Sequence, residues 1–535
     1  MNLPKPNSNV DLACAQEDSW YWAFTRAIQL VGSVFTVAKH QFQMRPMSLR
    51  PMVKIIRKAT QMLFTESEVL DVIHGMIHGL YPVGVYYLFP SKDKVSDFSR
   101  ARFRPLIKRN PDTIGLHVKD TDSVNLKQIG NAFLYFRSGR LAQEIQHQMK
   151  SSGALKGDPC DHAVFDEFDE MWPCEDVDSF VDARMSHSQV RTKHYLANPT
   201  LPDYGISEKF EESDQEYWHC KCIKCNAWTC MDDEDLSPDE LFRQRIIELK
   251  SGEVIRACSK CGAALNPERG QWVAKRPDIT DMIGFTIGHP SAPWIQPADL
   301  LKEWRRTNDK ANFIRLKLGR PWVEAENRLS IEDVLKCCGY DGISSSDIGP
   351  CYMGVDQGGS EQDLLHIVIG KNHPVRAAKY LYVGIDKGWF ELDRLMESFR
   401  VVRCVIDGLP NQDDARRFAR RHPGRVFLSY FSDSMKGAYK WDEQQQIVNS
   451  NRTEAMDASH KELQAQDLIL PKRCDVVDKF ARHCNAVAKK LEEDEETGSK
   501  RYIYVRLKKE DHFRLANCYE AMARQGSPNL LLPGI

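Results

Sequence analysis

The stretch His162-Ala163-Val164-Phe165-Asp166-Glu167 decides how the first half of this chain is read. Apolar residues running into two acids describe a buried strand that delivers a pair of carboxylates at its carboxyl end. In nucleotide-hydrolysing motors built on such sheets, the first carboxylate orients Mg²⁺ and the second polarises the attacking water. Strands ending in acids are common, so the six residues alone fit an ordinary strand end equally well.

Working outward, short apolar runs alternate with amphipathic stretches. Met52–Ile56, Gly84–Phe89 and Ala132–Phe136 read as strands, and Glu68–Gly79 and Asp97–Ile107 as helices. That alternation predicts a parallel sheet covered by helices. A helix is expected over Glu17–Lys39, carried by Trp20, Ala23, Phe24, Ala27, Ile28 and Val31. The partner of Asp166-Glu167 should be a phosphate-binding turn between a strand and a helix. The place for it is Lys58-Ala59-Thr60-Gln61-Met62-Leu63-Phe64-Thr65-Glu66. Thr65 would open the helix, where its hydroxyl reaches Mg²⁺ while helix amides hold phosphate. The usual Gly-Lys-Thr ending is absent. Glycine lets backbone amides approach phosphate, and Leu63 and Phe64 give no such freedom, so spacing alone does not make this a phosphate loop.

Composition bounds the answer without giving it. The 535 residues suit two domains or more, and 42% hydrophobic residues are enough for cores. A net charge of −2 gives no global basic character, so any nucleic-acid surface is local. No apolar run approaches the ~18 residues of a membrane span, and the opening Met1-Asn2-Leu3-Pro4 lacks the layout of a signal peptide. Sixteen cysteines, several in Cys-x-x-Cys pairs, suit metal binding in a reducing cytoplasm better than a disulfide framework.

Four segments in order, Lys54–Glu66, Tyr86–Pro105, Leu155–Met171 and Tyr195–Gly205, resemble the ATPase core of phage terminase large subunits, with the greatest likeness to the lambda gpA-like branch. The resemblance implies an ATP site. Its early-placed lysine is Lys58, Thr60 and Gln61 lie in the loop, and Thr65 takes the metal-ligand place. Asp166 is then the magnesium aspartate and Glu167 the catalytic glutamate, while Asn198 lies in the segment coupling hydrolysis to movement. Leu63 departs from the family pattern, which has glycine there.

Cys222-x-x-Cys225 and Cys258-x-x-Cys261 form two candidate knuckles for one structural Zn²⁺, since two tight turns offer four thiolates to a tetrahedral ion. His219, Cys220 and Cys230 are spare ligands. The gap between the pairs is long and must house an inserted element around Pro238–Leu249.

Beyond Asn327 a second alternation begins. Tyr352–Val355, Leu364–Gly370 and Tyr380–Ile385 are expected as consecutive strands, followed by a helix over Trp389–Phe399 and a strand over Val401–Ile406. Asp356 and Asp407 end the first and fourth strands, and Asp511 opens a late helix. Glu510 beside it could do the same work, and Asp363 and Asp386 are accessory acids or bystanders. This order of three carboxylates is that of an RNase H-like nuclease, and the resemblance to terminase nuclease domains runs through Asn451-Arg452-Thr453-Glu454. Such a triad holds two divalent ions that activate water and stabilise the leaving oxygen of a phosphodiester. Arg416, Arg417, Arg420, Arg421 and Arg425 form the densest basic cluster, a DNA-backbone contact or a solvated helix face. Leu491–Ser499 reads as a solvated loop.

The expected architecture is α/β: an ATPase core with an N-terminal helical region over 1–210, a zinc-ribbon-like insertion over 211–275, the remainder of the ATPase and a linker over 276–345, and an RNase H-like nuclease over 346–535. The resemblance implies ATP, Mg²⁺ or Mn²⁺ and Zn²⁺ as cofactors. It implies double-stranded DNA, a portal on the procapsid, a terminase small subunit and a homo-oligomeric ring as partners, in the host cytoplasm with no membrane. An RNase H-like recombinase or resolvase, and a non-catalytic packaging scaffold, are the alternatives.

Overall fold

A computed structural model describes residues 9–139, 158–171, 174–358, 364–432, 435, 437, 439–493, 500–507 and 510–526. The chain forms two compact units, Met1–Trp322 and Val323–Ile535.

In the first unit the centre of the sheet is parallel. Met282–Ile287, Val53–Lys58, Thr192–Ala197, His162–Asp166, Gly84–Phe89 and Ala132–Ser138 are neighbours in that order. Gly84–Phe89 and His162–Asp166 are buried along their whole length, which is why both read as continuous apolar runs. One strand, Thr192–Ala197, separates the strand leading to the candidate loop from the one ending at Asp166.

The cysteine-rich stretch does not stand outside this sheet. Glu216–Lys221 lies parallel to Met282–Ile287 and antiparallel to Gly270–Ala274, so its outer strands complete one edge.

Two local expectations change. The expected opening helix is Asn9–Glu17 and Ser19–Thr25, and it does not continue through Val31. Beyond it the side chain of Asn110 takes both backbone groups of Gln29, accepting from its N–H at 2.8 Å and donating to its carbonyl at 2.9 Å. A tertiary partner thus satisfies what a helical turn would have satisfied, and it seats Ile28 in the core. The helix expected over Asp97–Ile107 spans Lys92–Arg109, with a π-helical middle at Phe98–Phe103. Pro105, which has no N–H and whose ring crowds the preceding turn, explains the widening there.

The second unit places Val426–Phe431, Val401–Asp407, Cys351–Gln357, Leu365–Asn372 and Ala378–Asp386 side by side. The last three form an antiparallel meander. Val401–Asp407 runs parallel to Cys351–Gln357, and Val426–Phe431 parallel to it in turn. Alternate residues face opposite layers. Met353 and Val355 pack with Leu392 and Phe418 of the helices Trp389–Ser398 and Gln412–Arg421. Tyr352 packs with Tyr519 and Met522 of the helix His512–Gln525.

That last helix lies so close to the sheet that a Cβ on Gly354 would fall 2.1 Å from the Ala516 carbonyl oxygen and 2.2 Å from the Glu520 nitrogen. Only glycine permits the approach, and it sets the first turn of the helix against the end of the Cys351–Gln357 strand. Leu491–Glu493, expected in a loop, close a hairpin between Val487–Glu493 and Lys500–Arg506, where cross-strand pairing overrides the acidic composition. Residues 494–499 lie outside the described residues, as does Asp363.

Candidate active sites

The strand Val53–Lys58 runs into a turn and then the helix Phe64–Ile77. The turn is held from outside. Ala59 N–H donates to the Ile287 carbonyl and Thr60 N–H to the Leu316 carbonyl, both at 2.9 Å, and His289 bonds the Thr60 carbonyl at 2.9 Å. Gln61 and Leu63 adopt left-handed backbones with φ of 55° and 62°. From Gln61 to Glu66 the amides at the turn and helix start have no protein acceptor among the described residues. An anion finds donors there.

Asp166 stands beside this turn. It is buried, accepts from the Tyr87 hydroxyl at 3.2 Å and is hydrogen-bonded to Thr65. Burial pushes its carboxyl up to about 6; the Lys58 ammonium pulls it back and the Glu167 carboxylate adds to the rise. Its Oδ1 has no partner, and an orphaned carboxylate oxygen next to a threonine hydroxyl fits a divalent ion. Glu167 turns the chain at φ 63°, directly beyond the strand. Asn198 Nδ2 donates to the Lys58 carbonyl at 3.0 Å, tying the end of the neighbouring strand to the turn.

The two Cys-x-x-Cys turns have the same backbone. Asn226 N–H donates to the Cys222 carbonyl and Gly262 N–H to the Cys258 carbonyl, each at 2.9 Å, with φ of 57° and 68° at those fifth residues. Cys222 and Cys261 sulfurs lie 3.7 Å apart, and those of Cys225 and Cys258 3.6 Å. Four thiolates around one ion at Zn–S distances of about 2.3 Å would be about 3.8 Å apart. Burial raises the Cys258 thiol, but amides of Cys261 and Lys260 outweigh it and bring it down to about 6. Cys220 is pushed up to about 12 by burial, and neither it, Cys230 nor His219 joins the cluster.

In the second unit Asp356 and Asp407 end adjacent parallel strands, and Asp511 directly precedes the helix His512–Gln525. Burial pushes Asp356 up to about 8; His512 opposes this, while the charges of Asp407 and Asp511 add to it. Asp407 rises to about 6 through burial, opposed by the Leu409 amide and the Tyr519 hydroxyl, which donates at 3.0 Å. Ligand atoms of Asp356, His366 and His512 also come together here, all within 4.8 Å of one another. His512 Nδ1 lies 2.8 Å from Asp356 Oδ2. Glu510 turns away to His483 at 3.1 Å and Lys479 at 3.5 Å, and Asp386 accepts from the Gly388 N–H as a turn residue.

Residues 44–276 match the family described as phage terminase large subunit gpA, ATPase domain. Over these residues the chain is similar to the ATPase domain of phage terminase large subunits. No curated protein matches the sequence. Among solved structures, the large terminase of bacteriophage HK97 aligns over 96% of this chain and 99% of its own at 11% identity and a TM-score of 0.52, a likeness of fold. The large terminase ATPase domain of Thermus phage P74-26 aligns over 52% of this chain and 93% of its own, at 9% identity and a TM-score of 0.32. The cobalt-bound large terminase nuclease of the thermophilic phage G20c aligns over 38% and 98%, at 9% identity and a TM-score of 0.24.

Within this terminase-like domain, the structure gathers Lys58, Thr65, Asp166 and Asn198 at one place, with Thr60 and Gln61 shaping the turn. Sequence reasoning missed Asp169. Its carboxylate accepts from Thr200 N–H and hydroxyl at 2.8 Å and from Ile206 N–H at 2.6 Å, joining the Asp166 segment to the one following Asn198. The signal was available, since Asp169 lies three residues beyond Asp166. It missed His366 as well, although a period-two reading places His366 on the face of Leu364 and Val368 and not on its own. Arg416, Arg417, Arg421 and Arg425 are engaged by Gln445, Asp414, Asp393 and Glu397, and Asn451 caps its own helix through Thr453 and Glu454.

Proposed function

We propose that this chain is a terminase large subunit, an ATP-driven DNA-packaging motor joined to a metal-dependent DNA endonuclease. The observation that carries the motor reading is the contact of Thr65 with the buried Asp166 beside Lys58 and the unengaged amides of Gln61 to Glu66. Lys58 and those amides would hold ATP phosphates, Thr65 and Asp166 its Mg²⁺, and Glu167 would orient water. Asn198, bonded to the Lys58 carbonyl, is placed to feel what happens at the phosphates and pass it along its strand.

The nuclease reading rests on an RNase H-like strand order and on Asp356, Asp407 and Asp511 converging there. Bound divalent ions would supply activation of water and stabilisation of the leaving oxygen. The orphaned Oδ1 of Asp356 fits such an ion. Cys222, Cys225, Cys258 and Cys261 would hold a structural Zn²⁺, and their paired turns support that assignment. Double-stranded DNA is the substrate, and a homo-oligomeric ring on a portal of the procapsid, with a small subunit, is the working assembly in the host cytoplasm. Among the described residues no helix is long and apolar enough to cross a membrane.

The test is ATP hydrolysis and DNA cleavage by the full chain with Mg²⁺ or Mn²⁺. Glu167→Ala should abolish hydrolysis and spare cutting, and Asp356→Ala should do the reverse. Loss of both activities in either variant would refute two separate sites, and cutting that survives Asp356→Ala would refute the nuclease assignment. Native mass spectrometry should find one Zn²⁺ per chain, absent from Cys258→Ser.

A further inference from the structure

Two clusters, one of them sharing Asp356 with the carboxylate triad, bring histidines and an acid within ligand distance of each other, and their surroundings separate them. Glu68, His162 and His194 form one, buried in the first unit. There the Lys54 ammonium lies close enough to act on both Glu68 and His194, and it pairs with Asp71 at 3.1 Å while Arg50 pairs with Asp71 at 2.8 Å. Positive charge is already supplied, so that cluster is complete without an ion.

The other is Asp356, His366 and His512. Asp356 and His366 are direct cross-strand partners in the antiparallel pair Cys351–Gln357 and Leu365–Asn372, so their side chains share one face. His512, the first residue of the last helix, stacks on His366 with ring centroids 4.7 Å apart. His366 is 2% exposed, and neither of its ring nitrogens has a partner; Asp356 Oδ1 has none either. Buried polar groups are normally satisfied, and an unused Asp356 oxygen, an unpartnered imidazole nitrogen of His366 and a nitrogen of His512 within 4.8 Å of one another describe a ligand shell. The nearby His483 differs: its Nδ1 accepts from Phe513 N–H at 3.2 Å and its Nε2 faces Glu510, so it is already satisfied.

We propose that His366 and His512 join Asp356 as ligands of one divalent ion, so that this half of the site takes a first-row transition ion such as Co²⁺ or Mn²⁺ in preference to Mg²⁺. Imidazole nitrogen favours such ions, whereas an all-oxygen shell suits Mg²⁺. The ion's service in DNA cutting rests on the nuclease reading above; its binding does not.

The probe is Mn²⁺ alone, added to the nucleotide-free full chain and followed by electron spin-echo envelope modulation. Coupling to imidazole nitrogen is expected in wild type, reduced in His366→Gln and in His512→Gln, and unchanged in His162→Gln. A tenfold excess of Mg²⁺ should leave it in place. Bound Mn²⁺ without nitrogen coupling in wild type would overturn the proposal and leave the nuclease reading standing. Nitrogen coupling in a chain that cuts no DNA would uphold the site and remove the nuclease reading. Absence of bound Mn²⁺, or coupling lost in His162→Gln and kept in the other two variants, would overturn the proposal as well.

Discussion

Replacing Gly354 by alanine tests how the second unit assembles its acids. The added methyl would lie 2.1 Å from the Ala516 carbonyl oxygen and 2.2 Å from the Glu520 nitrogen, where 3.4 Å is ordinary contact. Both are backbone atoms, so no side chain can swing aside, and the helix His512–Gln525 must retreat by about 1.3 Å to restore that contact. Overpacking of this kind costs about 1–3 kcal/mol. The retreat carries Asp511 and His512 with it, and a displacement near 1 Å at a reacting centre costs about a hundredfold in rate. Gly354→Ala should therefore cut DNA about a hundredfold more slowly while hydrolysing ATP within about twofold of wild type. Amides of 513–525 should exchange with solvent roughly 5- to 150-fold faster, the equivalent of that energy. Wild-type cutting together with wild-type protection of this helix would refute the close approach and the role given to it.

Leu63 holds a left-handed backbone that glycine adopts without strain. Leu63→Gly should change stability by about 0 to +1 kcal/mol, because relief of a ~1–2 kcal/mol strain is offset by unfolded-state entropy. Its nucleotide affinity should be no weaker; a loss of more than about 1 kcal/mol in denaturant titration would contradict the turn. Asp169→Ala strips three donors of a charged acceptor and should destabilise the first unit by about 2–4 kcal/mol, with a fall in ATP turnover that Asp169→Glu does not repair; an unchanged melting profile would count against it. Burial holds the His74 ring down at about 4, against an ordinary 6.5. Because its folded-state value is depressed, the stability this neutral ring contributes is whole above pH 6.5 and is lost as pH falls toward about 4, by about 2–3 kcal/mol. His74→Gln should flatten that slope in a pH series of denaturation midpoints, and an unaltered slope would assign it to other groups.

Much of the candidate sites' geometry was legible because it is local. The run into Asp166-Glu167, the two Cys-x-x-Cys turns and the strands ending at Asp356 and Asp407 each announce themselves within a few residues, through burial and period. Resemblance, and not spacing, singled out Lys58 and Thr65, since the turn between them lacks the glycines that make such loops readable. The opening helix was overread past Thr25 because its apolar spacing continues, whereas the competing partner, Asn110, lies 81 residues from Gln29.

The sequence by itself determined two α/β halves, the acids at their strand ends and the pairing of cysteines, because hydrophobic period and short turns are properties of neighbouring residues. Only the tertiary structure decided which of those groups meet. Strand order interposed Thr192–Ala197 between Lys58 and Asp166 while Asn198 bridged the loop, antiparallel register set His366 opposite Asp356, and the bare Cα of Gly354 let the last helix bring Asp511 and His512 to the same point. Register and close approach are set by contacts distant along the chain, and no local pattern encodes them.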